Sequence, residues 1–211
     1  MERIQAADQL SDKRVADTLS FYENNADVYA QQTASVDLAD LYEQFLNLLP
    51  NGGRILDVGC GSGRDLRAFK LMGFDCVGID PSSNLARIAH EYSGCETIVT
   101  GVEGVSFESS FDGVWACASL LHLPRRRLPV ALNRIHIALK PTGLFFISIQ
   151  QGEGESVATD GRFFARYSLT ELNELVNSAG FVVLREWSTD DAQQKRRAIS
   201  WINILARRRE E

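Results

Sequence analysis

The most constraining feature of the chain is the run Ile55-Leu56-Asp57-Val58-Gly59-Cys60-Gly61-Ser62-Gly63-Arg64-Asp65. A short apolar segment reads as a buried strand, and three alternating glycines follow it at once. Glycine adopts left-handed backbone without steric cost, so this spacing lets a strand turn sharply into a helix. The loop presents bare backbone to a ligand, and the helix start offers unpaired N–H groups to something anionic. The spacing is Gly-x-Gly-x-Gly, not the Gly-x-Gly-x-x-Gly of nicotinamide- and flavin-binding loops, which argues against a nicotinamide oxidoreductase. Asp80 ends the next strand, 21 residues beyond Gly59. In an open parallel sheet this brings a carboxylate beside the loop, where ribose hydroxyls can be held.

Around the loop, strand-like and helix-like segments alternate, the signature of a parallel sheet with helices on both faces. The first fifty residues instead read as helical. Val15, Leu19, Tyr22, Ala26 and Tyr29 step by fours and threes, as do Leu38, Leu41, Tyr42, Phe45, Leu48 and Leu49. Pro50-Asn51-Gly52-Gly53 stops that pattern. Strands are predicted at 54–58, 76–79, 97–100, 111–118 and 144–149. Helices are predicted from the glycine loop to 72, on Leu85, Ile88, Ala89 and Tyr92, and on Leu128, Ala131, Leu132, Ile135 and Leu139. Lys140-Pro141-Thr142-Gly143 ends the last of these. Residues 150–167 form a polar, glycine-bearing stretch, and so long a connection inside a compact domain is usually functional or disordered. Ser168-Leu169-Thr170-Glu171 is a capping box opening a helix that Gly180 ends. Two closing strands, 181–187 and 199–205, flank a polar loop at 189–197. The expected organisation is an N-terminal helical lid over 1–50 and one α/β domain over 51–211.

Composition narrows the functional classes. Of 211 residues, 45% are apolar and 24% charged, a globular balance with enough chain to bury a full core. With 22 basic and 28 acidic residues the net charge is −6, and such a field repels polyanions. Neither bulk nucleic acid nor an anionic membrane is therefore the expected partner. The apolar run at 144–149 is far too short to span a bilayer, and Met1-Glu2-Arg3-Ile4-Gln5 carries no apolar signal-peptide core. Cys60, Cys76, Cys95 and Cys117 form no Cys-x-x-Cys pair, so no metal site is expected. The expectation is a reduced, cytoplasmic protein, monomer or homodimer.

Four motifs stand in order along the chain: Asp57-x-Gly59-x-Gly61-x-Gly63, Gly78-Ile79-Asp80-Pro81-Ser82, Phe111-Asp112-Gly113-Val114-Trp115 and Leu139-Lys140-Pro141-x-Gly143-Leu144. Together they resemble the class I S-adenosylmethionine-dependent methyltransferases over nearly the whole length. Tyr22-Glu23-Asn24-Asn25-Ala26-Asp27-Val28-Tyr29 and Asp160-Gly161-Arg162-Phe163-Phe164 are similar to a subgroup of small bacterial members. The resemblance implies a Rossmann-like α/β fold with a seven-stranded, mostly parallel sheet whose last strand is antiparallel. It implies S-adenosylmethionine as cofactor, S-adenosylhomocysteine as product, and in-line methyl transfer to a small-molecule acceptor. A tRNA methyltransferase of the wobble-uridine type is the alternative, and a non-catalytic cofactor-binding protein is another.

The same resemblance assigns Asp57, Gly59, Gly61, Gly63 and Arg64 to the methionine part of the cofactor. Asp80, with Pro81 and Ser82, would face the ribose, and Ala118 would border the cofactor from the fourth strand. Many relatives carry Gly-Asp after the third strand to receive the adenine amino group. Here the chain reads Gly101-Val102-Glu103, so either Glu103 substitutes or backbone groups of Val102 read the adenine.

Several residues admit a plainer reading as well. Asp80 can cap the following helix. Tyr22 and Tyr29 either pack in the core or reach the methionine carboxylate from a flap that excludes water. His122 either takes a proton from the acceptor, its ordinary pKa lying near neutrality, or satisfies backbone at a helix start. Glu153 and Asp160 stand behind it as proton acceptors. Arg126, Arg162, Phe163 and Tyr167 are candidates for acceptor binding. The run Arg125-Arg126-Arg127 either holds an anionic acceptor or is a solvated face, and Arg207-Arg208-Arg209 reads as a solvated tail.

Overall fold

The computed structural model describes residues 2–192 and 199–210, with side chains from residue 12 onward. Three helices open the chain: α1 (Glu2–Asn24), α2 (Ala26–Thr33) and α3 (Ala39–Leu46). Alternation then begins with β1 (Arg54–Val58), α4 (Arg64–Leu71), β2 (Asp75–Asp80), α5 (Ser83–Ser93) and β3 (Glu96–Val99). It continues through β4 (Phe111–Cys117), α6 (Leu128–Ala138) and β5 (Leu139–Gln150). A small hairpin, β6 (Glu155–Val157) and β7 (Phe163–Ala165), precedes α7 (Leu169–Ser178), β8 (Phe181–Asp190) and β9 (Ser200–Arg208).

The main sheet has seven strands in the order β3-β2-β1-β4-β5-β9-β8. Every pair is parallel except those of β9, which runs antiparallel to both β5 and β8. This is the Rossmann-like sheet with an antiparallel last strand that the motifs imply. Strand order reverses between β1 and β4, so their carboxyl ends open the crevice where such sheets bind ligands.

Alternating side chains divide the core between the two faces. Leu56, Val114, Phe145 and Ile147 pack under α6 and α7 through Leu132, Ile135, Leu172 and Val176. Ile55, Trp115 and Phe146 face the other way, under Phe45 of α3 and Leu66 and Phe69 of α4. Trp115 stacks on Phe146 with ring centroids 4.0 Å apart.

Three expectations need correction. The 1–50 boundary cuts through the core, because α3 buries Tyr42, Phe45 and Leu46 against the sheet. Residues 150–167, expected as a long functional or disordered connection, contain a hairpin: β6 and β7 pair antiparallel, Ser156 opposite Phe164, and bury Phe163 and Ala165. The 140–143 segment does end α6, but it already belongs to β5. The register shifts there between Phe111 and Gly113, where Pro141 lacks an N–H and Thr142 takes φ 63°.

Candidate functional site

The glycine loop runs between β1 and α4 with Gly59, Gly61 and Gly63 all at positive φ. Space also demands these glycines. A Cβ on Gly59 would stand 2.4 Å from Ser119 Cβ, and one on Gly63 2.8 Å from the Ala89 main chain of α5. Gly63→Ala would combine left-handed strain of ~1–2 kcal/mol with an overpacked α4–α5 contact. We expect it to lower unfolding free energy by about 2–4 kcal/mol in a urea titration.

Asp80 closes β2 beside this loop. Its two carboxylate oxygens accept the N–H groups of Gly61 (3.0 Å) and Ser82 (2.8 Å). Burial pushes its carboxyl up to about 6 even against those donors. Ser82 caps α5 by accepting the Leu85 N–H, and its hydroxyl donates to Glu23 at the end of α1. Glu23 also accepts from Ser83 and the Asn84 N–H, so a carboxylate from α1 sits on the N-terminus of α5.

On the other side of the loop, Asp57 is buried and its Oδ2 has no hydrogen-bond partner among the described residues. Burial, then the charge of Asp65, holds its carboxyl well above the usual range. Arg64 chelates Asp65 through Nε (2.6 Å) and Nη2 (3.0 Å). Asp65 also accepts from the Tyr42 hydroxyl (2.6 Å) and Trp115 Nε1 (2.9 Å). Burial pushes the Asp65 carboxyl up, but these four donors outweigh it and hold it below its ordinary range.

Two cavities flank the loop. The smaller, ≈ 150 Å³, runs past Asp80, Pro81, Gly101 and Val102 beneath Val15, Thr18 and Leu19 of α1. The larger, ≈ 330 Å³, reaches from Arg64 and Asp65 over Ser148 and Gln150 of β5 to Arg162, Phe164 and Trp201. Tyr22, Tyr29, Gly59, Gly61, Ala118 and His122 line both and form the seam. Ala118 holds φ 55° there, a conformation that L-residues rarely adopt.

At the seam the Tyr22 hydroxyl lies 2.8 Å from His122 Nε2, and His122 Nδ1 lies 2.7 Å from the Phe163 carbonyl. Arg162 Nη1 donates to the Tyr22 oxygen at 3.4 Å while Asp160 holds its other face. Tyr22 and Tyr29 meet edge to face with centroids 5.1 Å apart. Burial lowers the His122 pKa to about 4.

Some predicted residues do not come to these cavities. Glu103 is turned onto Arg127, leaving Val102 at the cavity wall. Phe163 is wholly buried in the core; only its main chain serves the site, accepting from His122 and donating to Thr18 Oγ1. Tyr167 is likewise buried, under the Arg125 guanidinium at 4.6 Å. Arg126 is exposed and 4.0 Å from Asp12. Glu153 is exposed, and Asp160 is taken by Arg162. Sequence reading missed the Asp65 cage and the Thr18 and Glu23 anchors, whose partners lie far along the chain.

A methyltransferase-domain family model matches residues 29–186 of the chain. The chain belongs to the class I S-adenosylmethionine-dependent methyltransferase family. Among curated relatives of this methyltransferase, the ubiquinone biosynthesis O-methyltransferase of Rhodopseudomonas palustris is 29% identical over 113 residues, 51% of this chain and 44% of the relative. The protein of that name from Bradyrhizobium sp. is 35% identical over 118 residues, 54% of this chain and 46% of its own. The chain thus spans under half the length of these relatives. The Burkholderia thailandensis 1,6-didemethyltoxoflavin-N1-methyltransferase, solved with its namesake ligand and S-adenosylhomocysteine, shares the fold. It superposes with a TM-score of 0.76 at 23% identity, covering 93% of this chain and 87% of that one. No helix among the described residues is long and apolar enough to cross a membrane.

Proposed function

We propose that this methyltransferase moves the methyl group of S-adenosylmethionine onto a small-molecule acceptor at the seam between the two cavities. The observation that carries this reading is the larger cavity, ≈ 330 Å³ and bordered by Phe21 of α1, Val28 of α2 and Asn25 between them. A recess of that kind suits a small ligand.

The residues present fit the cofactor. The unpartnered Asp57 Oδ2 is a buried acceptor suited to the methionine ammonium, and Arg64, braced by Asp65, suits its carboxylate. Asp80 has a lone pair left on each oxygen for the ribose hydroxyls, and the main chain at Val102 suits the adenine edge. Bound S-adenosylmethionine supplies a methyl group already activated on a sulfonium. The protein's part is then chiefly to align the acceptor behind that carbon and keep water out, an orientation effect that can reach ~7–11 kcal/mol.

The arginine clusters speak for a metabolite over RNA. Arg125 pairs with Glu171 and donates to the Arg166 carbonyl, and Arg127 pairs with Glu103. Arg208 and Arg209 donate to the Leu139 and Phe181 carbonyls. These guanidiniums are tied to the chain's own groups; Lys195, Arg196 and Arg197 lie outside the described residues. Arg207 and Arg208 close β9 against β8 and are not the solvated tail expected from the sequence. We expect no gel shift of bulk tRNA at physiological salt, and unchanged methyl transfer when the exposed Arg207 is replaced by Gln. A bulk-tRNA shift that vanishes on mutating Arg125, Arg126 and Arg127 would favour the RNA reading. The direct test incubates the protein with methyl-labelled S-adenosylmethionine and fractionated lysate. Label should enter the small-molecule fraction; label in RNA or protein, or none transferred, overturns the proposal.

A further inference from the structure

Methyl transfer needs a base only when the acceptor atom carries a proton, and the seam holds a hydrogen-bonded chain suited to that task. Its order follows from donor chemistry. The Phe163 carbonyl can only accept, so His122 carries its proton on Nδ1 and leaves a lone pair on Nε2. Tyr22 must then donate its O–H to Nε2 while its oxygen accepts from Arg162, on a residue that lines both cavities. Neither nitrogen of His122 faces an acceptor directly, because the phenol covers one and the carbonyl the other. Of the six residues that line both cavities, only Tyr22, Tyr29 and His122 carry titratable side chains.

Resting on the methyl-transfer reading, we propose that Tyr22 and His122 together form the base for an acceptor whose nucleophilic atom bears a proton, a hydroxyl or N–H group. As the acceptor's lone pair forms the new bond to the methyl carbon, the carbon–sulfur bond breaks and its electron pair stays on sulfur. The acceptor's proton passes to the Tyr22 oxygen while the phenol's own proton passes to His122 Nε2. Tyrosine ends unchanged, and the proton rests on an imidazolium braced by the Phe163 carbonyl. Tyr22 is the group that touches the acceptor; His122 acts through it. The charged groups facing this pair are Arg162, Asp160 and, toward Tyr22, Asp80, with Tyr29 packed against the phenol. Arg162 opposes charging of the imidazole and Asp160 favours it. Burial keeps the ring neutral at working pH, so Nε2 is unprotonated when the acceptor arrives, and it makes the imidazolium a transient acid that gives its proton up after transfer.

Two measurements test the relay. In ¹⁵N-histidine NMR of the protein saturated with S-adenosylhomocysteine, His122 should be neutral with its proton on Nδ1, and Tyr22→Phe should move the Nε2 signal. A proton on Nε2 overturns the proposal. With labelled S-adenosylmethionine at saturation and the lysate small-molecule fraction as acceptor, Tyr22→Phe and His122→Asn should each slow transfer by about 10²–10⁴-fold. The wild-type rate should be level from pH 5 to 8 and fall only as pH approaches about 4, where the ring protonates. Transfer that continues within threefold in both variants, or an acid limb near the ordinary histidine value, sinks the relay alone. Wild-type protein that transfers no label sinks the methyl-transfer reading, and the relay with it.

Discussion

Asp80→Ala is expected to weaken S-adenosylmethionine binding a hundredfold or more in calorimetry. On the proposed cofactor pose two ribose hydroxyls would donate to this carboxylate, about 1.5–3 kcal/mol each, and tenfold in affinity corresponds to ~1.4 kcal/mol. The substitution also releases the N–H groups of Gly61 and Ser82, loosening the loop itself. The same group sets a pH dependence. The ionised carboxylate is the better acceptor, and burial raises its pKa to about 6, so affinity is full above that value and falls as pH drops through it. In folding the sign reverses. The native state holds the proton from the unfolded value near 4 up to about 6, so Asp80 costs stability progressively across that window. Wild-type affinity for NAD exceeding that for S-adenosylmethionine, or an Asp80→Ala variant that binds as tightly as wild type, would undo the assignment.

Asp65→Ala should be the most destabilising polar substitution near the site. Asp65 is 6% exposed and gathers Arg64, Tyr42 and Trp115. Removing it strands a guanidinium in a largely buried position, and breaking such a pair costs about 3–5 kcal/mol. In a domain of this size each kcal/mol moves the melting temperature by ~2–4 °C, so calorimetry should record a fall of roughly 6–20 °C. A loss below about 1 kcal/mol would mean that water replaces the carboxylate and that the cage is incidental. Cofactor affinity should fall as well, since Arg64 loses its brace; the smaller Asp65→Asn change should keep part of both.

The features legible in the sequence were those with local causes. The strand before Gly59 and the helix after Gly63 follow from composition and backbone freedom within a dozen residues. The Ser168 cap of α7 was equally local, though Glu171 reaches to Arg125 instead of back to its own helix. What escaped was decided across the fold. Whether α3 is a lid or core depends on Phe45 meeting Phe69, Trp115 and Phe146, three residues from three other elements. Phe163 read as a candidate for acceptor binding because it stands beside Arg162 in a polar stretch; on β7, alternation turns it into the core while Phe164 lines the larger cavity. Glu103 stood one position beyond an expected acid, and a guanidinium 24 residues further along claimed it.

The attachment of α1 to the hairpin carries a kinetic consequence. Arg14 pairs with Glu155, Thr18 holds the Phe163 N–H, and Tyr22 meets His122 and Arg162. The helix that roofs the smaller cavity is thus stitched between Arg14 and Tyr22 to the hairpin segment bounding the larger one. Lifting one frees the other, so on the proposed reading a single opening would expose both cofactor and acceptor to solvent. Turnover by that route would be gated by one event, with no obligatory order in which spent cofactor and methylated product depart.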